Sequence, residues 1–288
     1  MSNGNFALEF TGERFTPECV REIWYEHFHR YAFALPLAEG KRVLDAACGE
    51  GYGSALLATR AAAVLGLDIS SDATAHAAVR YARSRPNLSF QVEDVSALEA
   101  MPDASFDLIC SFETLEHLQA QEAMLKGFRR LLAPGGLLLV STPDKKNYSD
   151  IPGFRNEHHV RELYRDEFEG MVKAEFSNVR IYAHKLAFQS LLWSIDGDRD
   201  RYVAQVLDSE GSVVEQLAYP PLYYIAACSN ESLVDLPSLS LFGDAAESVY
   251  AHYYHEIRKN MNAGARIQEL EAEVEALRAQ LGALGTTR

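Results

Sequence analysis

The 288-residue sequence has no apolar run of the roughly 18 residues that a membrane-spanning helix needs. Its first residues, Met1-Ser2-Asn3-Gly4-Asn5, lack the basic and apolar blocks of a secretory signal. Both absences predict a cytoplasmic protein with no membrane span. Paired cysteines are missing too. Cys19, Cys48, Cys110 and Cys228 are scattered, with no C-x-x-C, and three of them stand in apolar contexts. That pattern fits reduced, buried thiols rather than disulfides or a zinc site. Positive charge is scarce: 27 Lys and Arg face 41 Asp and Glu, for a formal net charge of −14. A polyanion is repelled by such a surface, and Lys41-Arg42 and Lys145-Lys146 are too small to form a basic patch. No nucleic-acid partner is expected. The phosphate-cradling G-x-x-x-x-G-K-[ST] is also absent.

What is present is an alternation of short apolar strands with helices. Residues 6–38 mix aromatic and charged residues and predict a loop and then a helix around Trp24–Tyr31. Strands are predicted at Arg42–Ala47, Ala63–Ile69, Leu88–Val92, Phe106–Phe112 and Leu137–Ser141, the last after a Pro134-Gly135-Gly136 turn. Helices are predicted at Gly53–Arg60, Ser71–Ser84 and from the fourth strand to about Leu132. Strands apolar on both faces and separated by helices imply an α/β fold, a doubly wound parallel sheet covered on both sides. Farther on, a polar loop covers 143–158, a helix Val160–Val172, and strands Val179–Phe188 and Leu222–Cys228. Between those strands, Tyr202–Val206 and Val213–Leu217 flank Ser209-Glu210-Gly211-Ser212, a hairpin signal.

A glycine-rich turn, Asp45-Ala46-Ala47-Cys48-Gly49-Glu50-Gly51-Tyr52-Gly53, follows the first strand. Alone it suits a dinucleotide, a nucleotide phosphate or S-adenosylmethionine (SAM). Its spacing is GxGxG rather than GxGxxG, and Asp45 closes the strand, where a pyrophosphate is repelled and a ligand with a cationic amino group is tolerated. Asp68 ends the second strand, where a carboxylate accepts both ribose hydroxyls. Asp94, after the third, is placed to accept an adenine amino group. Each acid alone reads as a solvated loop residue or cap; three in register with the glycines read as a cofactor site.

Val43–Gly53 resembles motif I of the class I SAM-dependent methyltransferases. Leu65-Gly66-Leu67-Asp68-Ile69-Ser70 resembles their acidic ribose motif, Phe106–Ser111 their fourth-strand motif, and Leu131–Gly136 the turn before strand five. The resemblance covers about residues 40–145 in the right order. It implies a Rossmann-like seven-stranded sheet with an antiparallel last strand at Tyr223–Cys228. It implies SAM as cofactor, held by Asp45, Ala47, Gly49, Gly51, Tyr52, Asp68, Ile69, Asp94, Val95 and Phe112. It also implies that a segment before the first strand closes over the methionine end. Gly12-Glu13-Arg14-Phe15 and His29-Arg30-Tyr31 are similar to segments of a bacterial subfamily linked to sugar and glycan methylation, which points to Arg30 and Tyr31. The domains expected are a cofactor-closing segment at 1–40, a methyltransferase domain at 41–232 and a helix at 244–286.

The acceptor chemistry is sought after strand four. Methyl transfer from a sulfonium is an in-line displacement, and an alcohol nucleophile must lose its proton to a base or a metal. Glu113, Glu116 and His117 form an E-x-x-E-H cluster that shares one face if a helical turn starts there. Similar clusters occur in ubiquinone-pathway O-methyltransferases and in small-RNA 2′-O-methyltransferases, and His159 resembles the latter's downstream histidine. Two readings stay open. Glu113, Glu116, His117 and His159 hold Mg2+ or another divalent metal, or His117 or His159 is a metal-free base with Glu113 contacting the cofactor or capping a helix. His76 is expected on a helix surface.

The predicted activity is O-methylation of a sugar, glycan or related small molecule. The alternatives are N- or C-methylation of a natural product and a non-catalytic SAM-binding protein. An NAD(P)-dependent oxidoreductase is disfavoured by the GxGxG spacing and Asp45. Near the end, Ile267, Leu270, Val274, Leu277, Leu281 and Leu284 are spaced 3-4-3-4-3, an a/d heptad seam. It predicts either self-association into a homo-oligomer or an amphipathic helix docked on its own domain.

Overall fold

A computed structural model describes residues 22–195, 203–207, 209–217 and 219–285. The chain divides into two compact units, Met1–Leu241 and Phe242–Arg288. In the first, helix α1 (Glu22–Ala34) precedes the strand–helix alternation β1 (Arg42–Ala46), α2 (Tyr52–Leu57), β2 (Ala63–Asp68), α3 (Ser71–Arg80), β3 (Leu88–Val92), β4 (Phe106–Ser111), α4 (Gln121–Leu131) and β5 (Leu132–Pro143). Helix α5 (Arg165–Glu175), strand β6 (Asn178–His184), a two-stranded hairpin of β7 (Val206–Leu207) and β8 (Val213–Val214), and β9 (Tyr223–Ser229) complete it.

The expected sheet is present. Its order is β3-β2-β1-β4-β5-β9-β6, and β9 runs antiparallel to both β5 and β6. Successive residues on a strand face opposite sides, and here both sides are apolar. Leu44, Ile109, Leu138 and Val140 join one buried cluster with Phe128 of α4 and Phe168 of α5. Val43, Leu108, Leu137 and Leu139 join the other with Tyr31 of α1 and Leu57 of α2. Helix α4 buries Gln121, Met124, Leu125, Phe128 and Leu131, a single stripe at helical spacing.

Several boundaries differ from the sequence reading, each for a local reason. The Pro134-Gly135-Gly136 turn is absorbed into β5 as a bulge, since Phe106 pairs with Leu132 but Leu108 with Leu137. The polar loop begins as a π-helical turn at Lys146–Asp150. The helix predicted from Val160 starts only at Arg165. The backbone N–H groups of Val160 and Arg161 are drawn to the Glu116 carbonyl, at 2.8 and 3.0 Å, and Leu163 is bridged to Asp144. Strand β6 stops at His184 rather than Phe188. The hairpin is shorter than predicted, and Tyr202 lies outside the described residues, as do Cys19 and Gly12-Glu13-Arg14-Phe15. Cys48, Cys110 and Cys228 are free and buried. No helix among the described residues is long and apolar enough to cross a membrane.

The second unit is dominated by α6, one continuous helix over Ser248–Gly285. Ile267, Leu270, Val274, Leu277 and Leu281 are 42 to 69 % exposed; the Leu284 side chain lies outside the described residues.

Candidate active site

A cavity of about 330 Å³ opens where β1, β2, β3 and β4 end. Strand order reverses there, between β1 and β4, the usual ligand crevice of a doubly wound sheet. Nine of the twelve residues expected around a cofactor line it: Tyr31, Ala47, Gly49, Tyr52, Asp68, Ile69, Asp94, Val95 and Phe112. The glycine-rich turn is built from left-handed backbone, with φ of +59° at Ala47, +55° at Gly49 and +81° at Gly51. The Asp68 carboxylate holds the turn against β2, accepting from Gly49 N and Ser70 N at 2.9 Å each. Asp94 shapes the next loop through one oxygen: Oδ1 accepts from Ser96 N and Oγ at 2.8 and 2.7 Å. Tyr31 meets Tyr52 and Phe112 edge-on, with ring centres 5.2 and 5.1 Å away. Two carboxylates, exposed turn backbone and an aromatic wall suit a ligand with ribose, adenine and a sulfonium cation, the last favoured by aromatic faces.

The other three expected residues lie behind the wall. Asp45 is fully buried and accepts from Ser54 Oγ at 2.5 Å and Tyr31 Oη at 3.0 Å. Burial raises its pKa to about 6, against the pull of those two hydroxyls. It joins α1, β1 and α2 rather than facing the cavity. Gly51 lacks a side chain for packing, not for ligand approach: a Cβ there would stand 2.6 Å from the Phe90 ring. Gly53 is more constrained, with its Cβ space 2.0 Å from the Tyr31 ring. Arg30 is 1 % exposed; its guanidinium lies 3.4 Å from Glu113 Oε1 and 4.4 Å from the centre of the Tyr223 ring.

At the far end of the cavity stand Glu113, Glu116, His117 and His159. The helical turn imagined for the first three is a 3-10 turn confined to Leu115–His117. Glu113 lies outside it with φ of +53°. Its carboxylate is turned to Arg30 and accepts from Ser141 Oγ at 2.8 Å. It therefore does not share a face with Glu116 and His117. Those two and His159 do converge, each with a ligand-type atom within 4.8 Å of the others. The convergence is built by backbone and by Gln121. The Glu116 carbonyl accepts from Val160 and Arg161, while Gln121 Nε2 donates to the Leu115 and Arg161 carbonyls at 2.7 and 2.8 Å.

Hydrogen bonding sets the protons of both imidazoles. His117 Nδ1 is 2.9 Å from the His158 carbonyl, an acceptor, so Nδ1 carries the proton and Nε2 the lone pair. His159 Nδ1 is 2.5 Å from Glu162 Oε1 and Nε2 is 3.0 Å from Asn156 Nδ2, which again leaves the lone pair on Nε2. The Glu116 carboxyl is 1 % exposed, and its Oε2 has no hydrogen-bond partner among the described residues. Burial, and then the Glu113 charge, push its pKa well above the usual carboxylate range. Three acceptor atoms thus meet with no donor among them. Such a set takes a proton or a divalent cation with N and O ligands.

Sequence reasoning missed Glu162, Asn156, Tyr148, Tyr223 and His27. Glu162 had a readable signal, lying three residues after His159. Tyr148 stacks on His159 at 5.3 Å, and it comes from the segment read as a polar loop. His76, expected on a surface, turns inward with its side chain 8 % exposed, 3.8 Å from Glu50.

A methyltransferase-domain family matches residues 43–136. The chain is 36 % identical over 172 residues to a "Probable S-adenosylmethionine-dependent methyltransferase" of Mycolicibacterium smegmatis, covering 58 % of this chain and 64 % of that one. It is 32 % identical over 121 residues to a ubiquinone biosynthesis O-methyltransferase of Idiomarina loihiensis (42 and 50 % covered). It is 29 % identical over 186 residues to a phosphoethanolamine N-methyltransferase of Triticum aestivum (63 and 34 % covered). The match spans less than two thirds of each of these relatives. In fold it is similar to a SAM-dependent methyltransferase from Archaeoglobus fulgidus, with a TM-score of 0.53 at 18 % identity, covering 72 % of this chain and 93 % of that one. Its turn, its sheet order and these likenesses identify residues 43–136 as a methyltransferase domain similar to those of the class I SAM-dependent methyltransferases.

Proposed function

We propose that this protein transfers the methyl group of SAM to a hydroxyl of an uncharged acceptor, a sugar or glycan-linked molecule. The observation that carries the reading is the meeting of Glu116, His117 and His159 lone pairs at the end of the cavity away from the glycine-rich turn. An alcohol needs its proton removed, whereas an amine with a free lone pair needs no base. The charge of the wall supports a neutral acceptor. Asp68, Glu93, Asp94, Glu113 and Glu116 line it, and no Lys or Arg does among the described residues. A phosphorylated acceptor has no cation to meet it there.

In this reading Asp68 accepts the ribose hydroxyls, Asp94 Oδ2 and the Val95 region receive the adenine, and Ala47 and Gly49 present backbone to the cofactor. Tyr31, Tyr52 and Phe112 surround the sulfonium, which supplies a methyl group already activated for displacement. Arg30 orients Glu113 from behind the wall. Its three guanidinium nitrogens make no hydrogen bond among the described residues, and its buried charge supplies a positive field behind the wall that favours the methionyl carboxylate. Asp45 and Gly51 keep the turn in shape. His159 Nε2 takes the acceptor proton once Asn156 Nδ2 has turned from it, with Glu162 stabilising the imidazolium through Nδ1.

The unpaired Glu116 Oε2 favours a second reading of the same cluster, in which Glu116, His117 and His159 hold Mg2+ or another divalent ion. The ion would lower the pKa of the acceptor hydroxyl, and Asn156 would have to turn from His159 Nε2. The test supplies methyl-labelled SAM with neutral sugar and glycan acceptors, before and after chelation. We expect label on acceptor oxygen and a fall in kcat of about 10- to 100-fold for Glu162→Gln, with KM little changed. Label on nitrogen or carbon would overturn O-methylation. Activity that survives exhaustive chelation would remove the ion and leave the base.

A further inference from the structure

Helix α6 carries a second kind of information, independent of the methyl-transfer reading. With Ile267 at heptad position a, the a positions are Ile267, Val274 and Leu281 and the d positions are Leu270, Leu277 and Leu284. The five of these whose side chains are described are exposed along the helix. Beta-branched residues at a with Leu at d favour two parallel strands, because a and d knobs meet their holes at different angles. Two of the three a residues are beta-branched, and every d residue is Leu.

The flanking charges agree. Position g is Arg266, then Glu273; position e is Glu271, then Arg278. In a parallel, in-register pair each g residue faces the e residue five positions later on the partner helix. That places Arg266 opposite Glu271 and Glu273 opposite Arg278, and the two-fold axis repeats both. All four juxtapositions are opposite in sign. In the single chain Arg266 bonds Glu269 at 2.8 Å and Arg278 bonds Glu275 at 3.0 Å, on exposed faces, where such pairs hold weakly. Both arginines are thus available to exchange partners.

The seam has a definite upper limit. Tyr250, Tyr254, Ile257 and Met261 form another exposed stripe, but seam phase extended backwards passes through Ala263, Asn260, Glu256 and Tyr253 instead. The two stripes are one residue out of phase, and Ala263-Gly264-Ala265 lies at the change.

We propose that residues 266–284 pair with the same segment of a second copy of this chain as a parallel, in-register, two-stranded coiled coil. The experiment is light scattering of the full chain across a concentration series, with three variants. The wild type is expected at twice the chain mass, and Leu270→Asp with Leu277→Asp at the monomer mass. Because those substitutions can unfold α6 itself, charge reversal gives the second reading. Arg278→Glu sets like charges against Glu273 twice per dimer and is expected to raise the dissociation constant about tenfold; adding Glu273→Arg restores the wild-type value. Leu277→Cys reports orientation, since only a parallel register sets position 277 against itself, and a reducible cross-linked dimer absent from the wild type is expected. A wild-type monomer, a mass above two chains, a dimer indifferent to the paired Asp substitutions, no rescue by the charge swap, or no new cross-link would each overturn the proposal.

Discussion

Asp45 and Asp68 stand at the ends of neighbouring strands, and their surroundings give them different tasks. Asp45 is enclosed by Tyr31 and Ser54 and knits three elements together, whereas Asp68 lines the cavity. From sequence both are acids at strand ends, since motif position does not say which way a side chain is covered. Glu113 was misplaced for a related reason. An E-x-x-E-H string invites a helical face, but Arg30 and Ser141, distant in sequence, pull Glu113 out of it. Long-range pairing of this kind leaves no local signal. Near Arg30, His29 and His184 are held neutral, with pKa values lowered to about 4 and about 2 by burial and then by the Arg30 charge. A histidine whose folded pKa is depressed binds its proton only after unfolding, so its contribution to stability is lost as pH falls below 6.5. His29 Nε2 lies 2.9 Å from Ser240 Oγ, and we expect His29→Gln, which keeps a partner for Ser240, to remove that effect. Between pH 6.5 and about 4 the wild type should lose about 1.4 kcal/mol per pH unit relative to the variant. Urea unfolding at several pH values measures it, and parallel stability curves would show that His29 is not held neutral.

At the scale of elements, the strands and the glycine-rich turn were the most legible parts. Buried parallel strands read as short apolar runs, and Val43/Leu44, Leu108/Ile109 and Leu137/Leu138 feed opposite faces of the sheet in pairs. The segment between β5 and α5 was the least legible, because its conformation is set by hydrogen bonds to the Leu115–His117 turn rather than by its own periodicity. The glycines of the turn were read as part of a cofactor site; for Gly51 and Gly53 the space a Cβ would take is filled by protein. Gly53→Ala should therefore destabilise the fold by about 1–3 kcal/mol or more, because Tyr31 is buried and tethered to Asp45 and cannot retreat. Gly127→Ala, inside α4 with Leu98 at 3.5 Å, should be neutral or stabilising by up to about 1 kcal/mol. Equal effects in denaturant titrations would mean that Tyr31 does not occupy that space.

Across the whole molecule, one sheet keeps two kinds of chemistry at opposite ends of one cavity. Strands β1 to β3 deliver the carboxylates and glycines. The turn after β4, clamped to the segment before α5, delivers Glu116, His117 and His159. The first set was readable because each residue belongs to a strand end. The second required knowing that residues 116 and 159 meet, which the spacing alone does not dictate. The net charge of −14 fits a cavity walled by acids, since both a sulfonium and the neutral acceptor we propose enter such a field without penalty. The most direct test of the account is calorimetric titration of SAM into the wild type and into Asp68→Ala. One SAM should bind per chain, NAD should give no heat, and the variant should bind about 100-fold more weakly, the loss of charged hydrogen bonds to the ribose. Absence of SAM binding to the folded wild type, or unchanged affinity in Asp68→Ala, would contradict it.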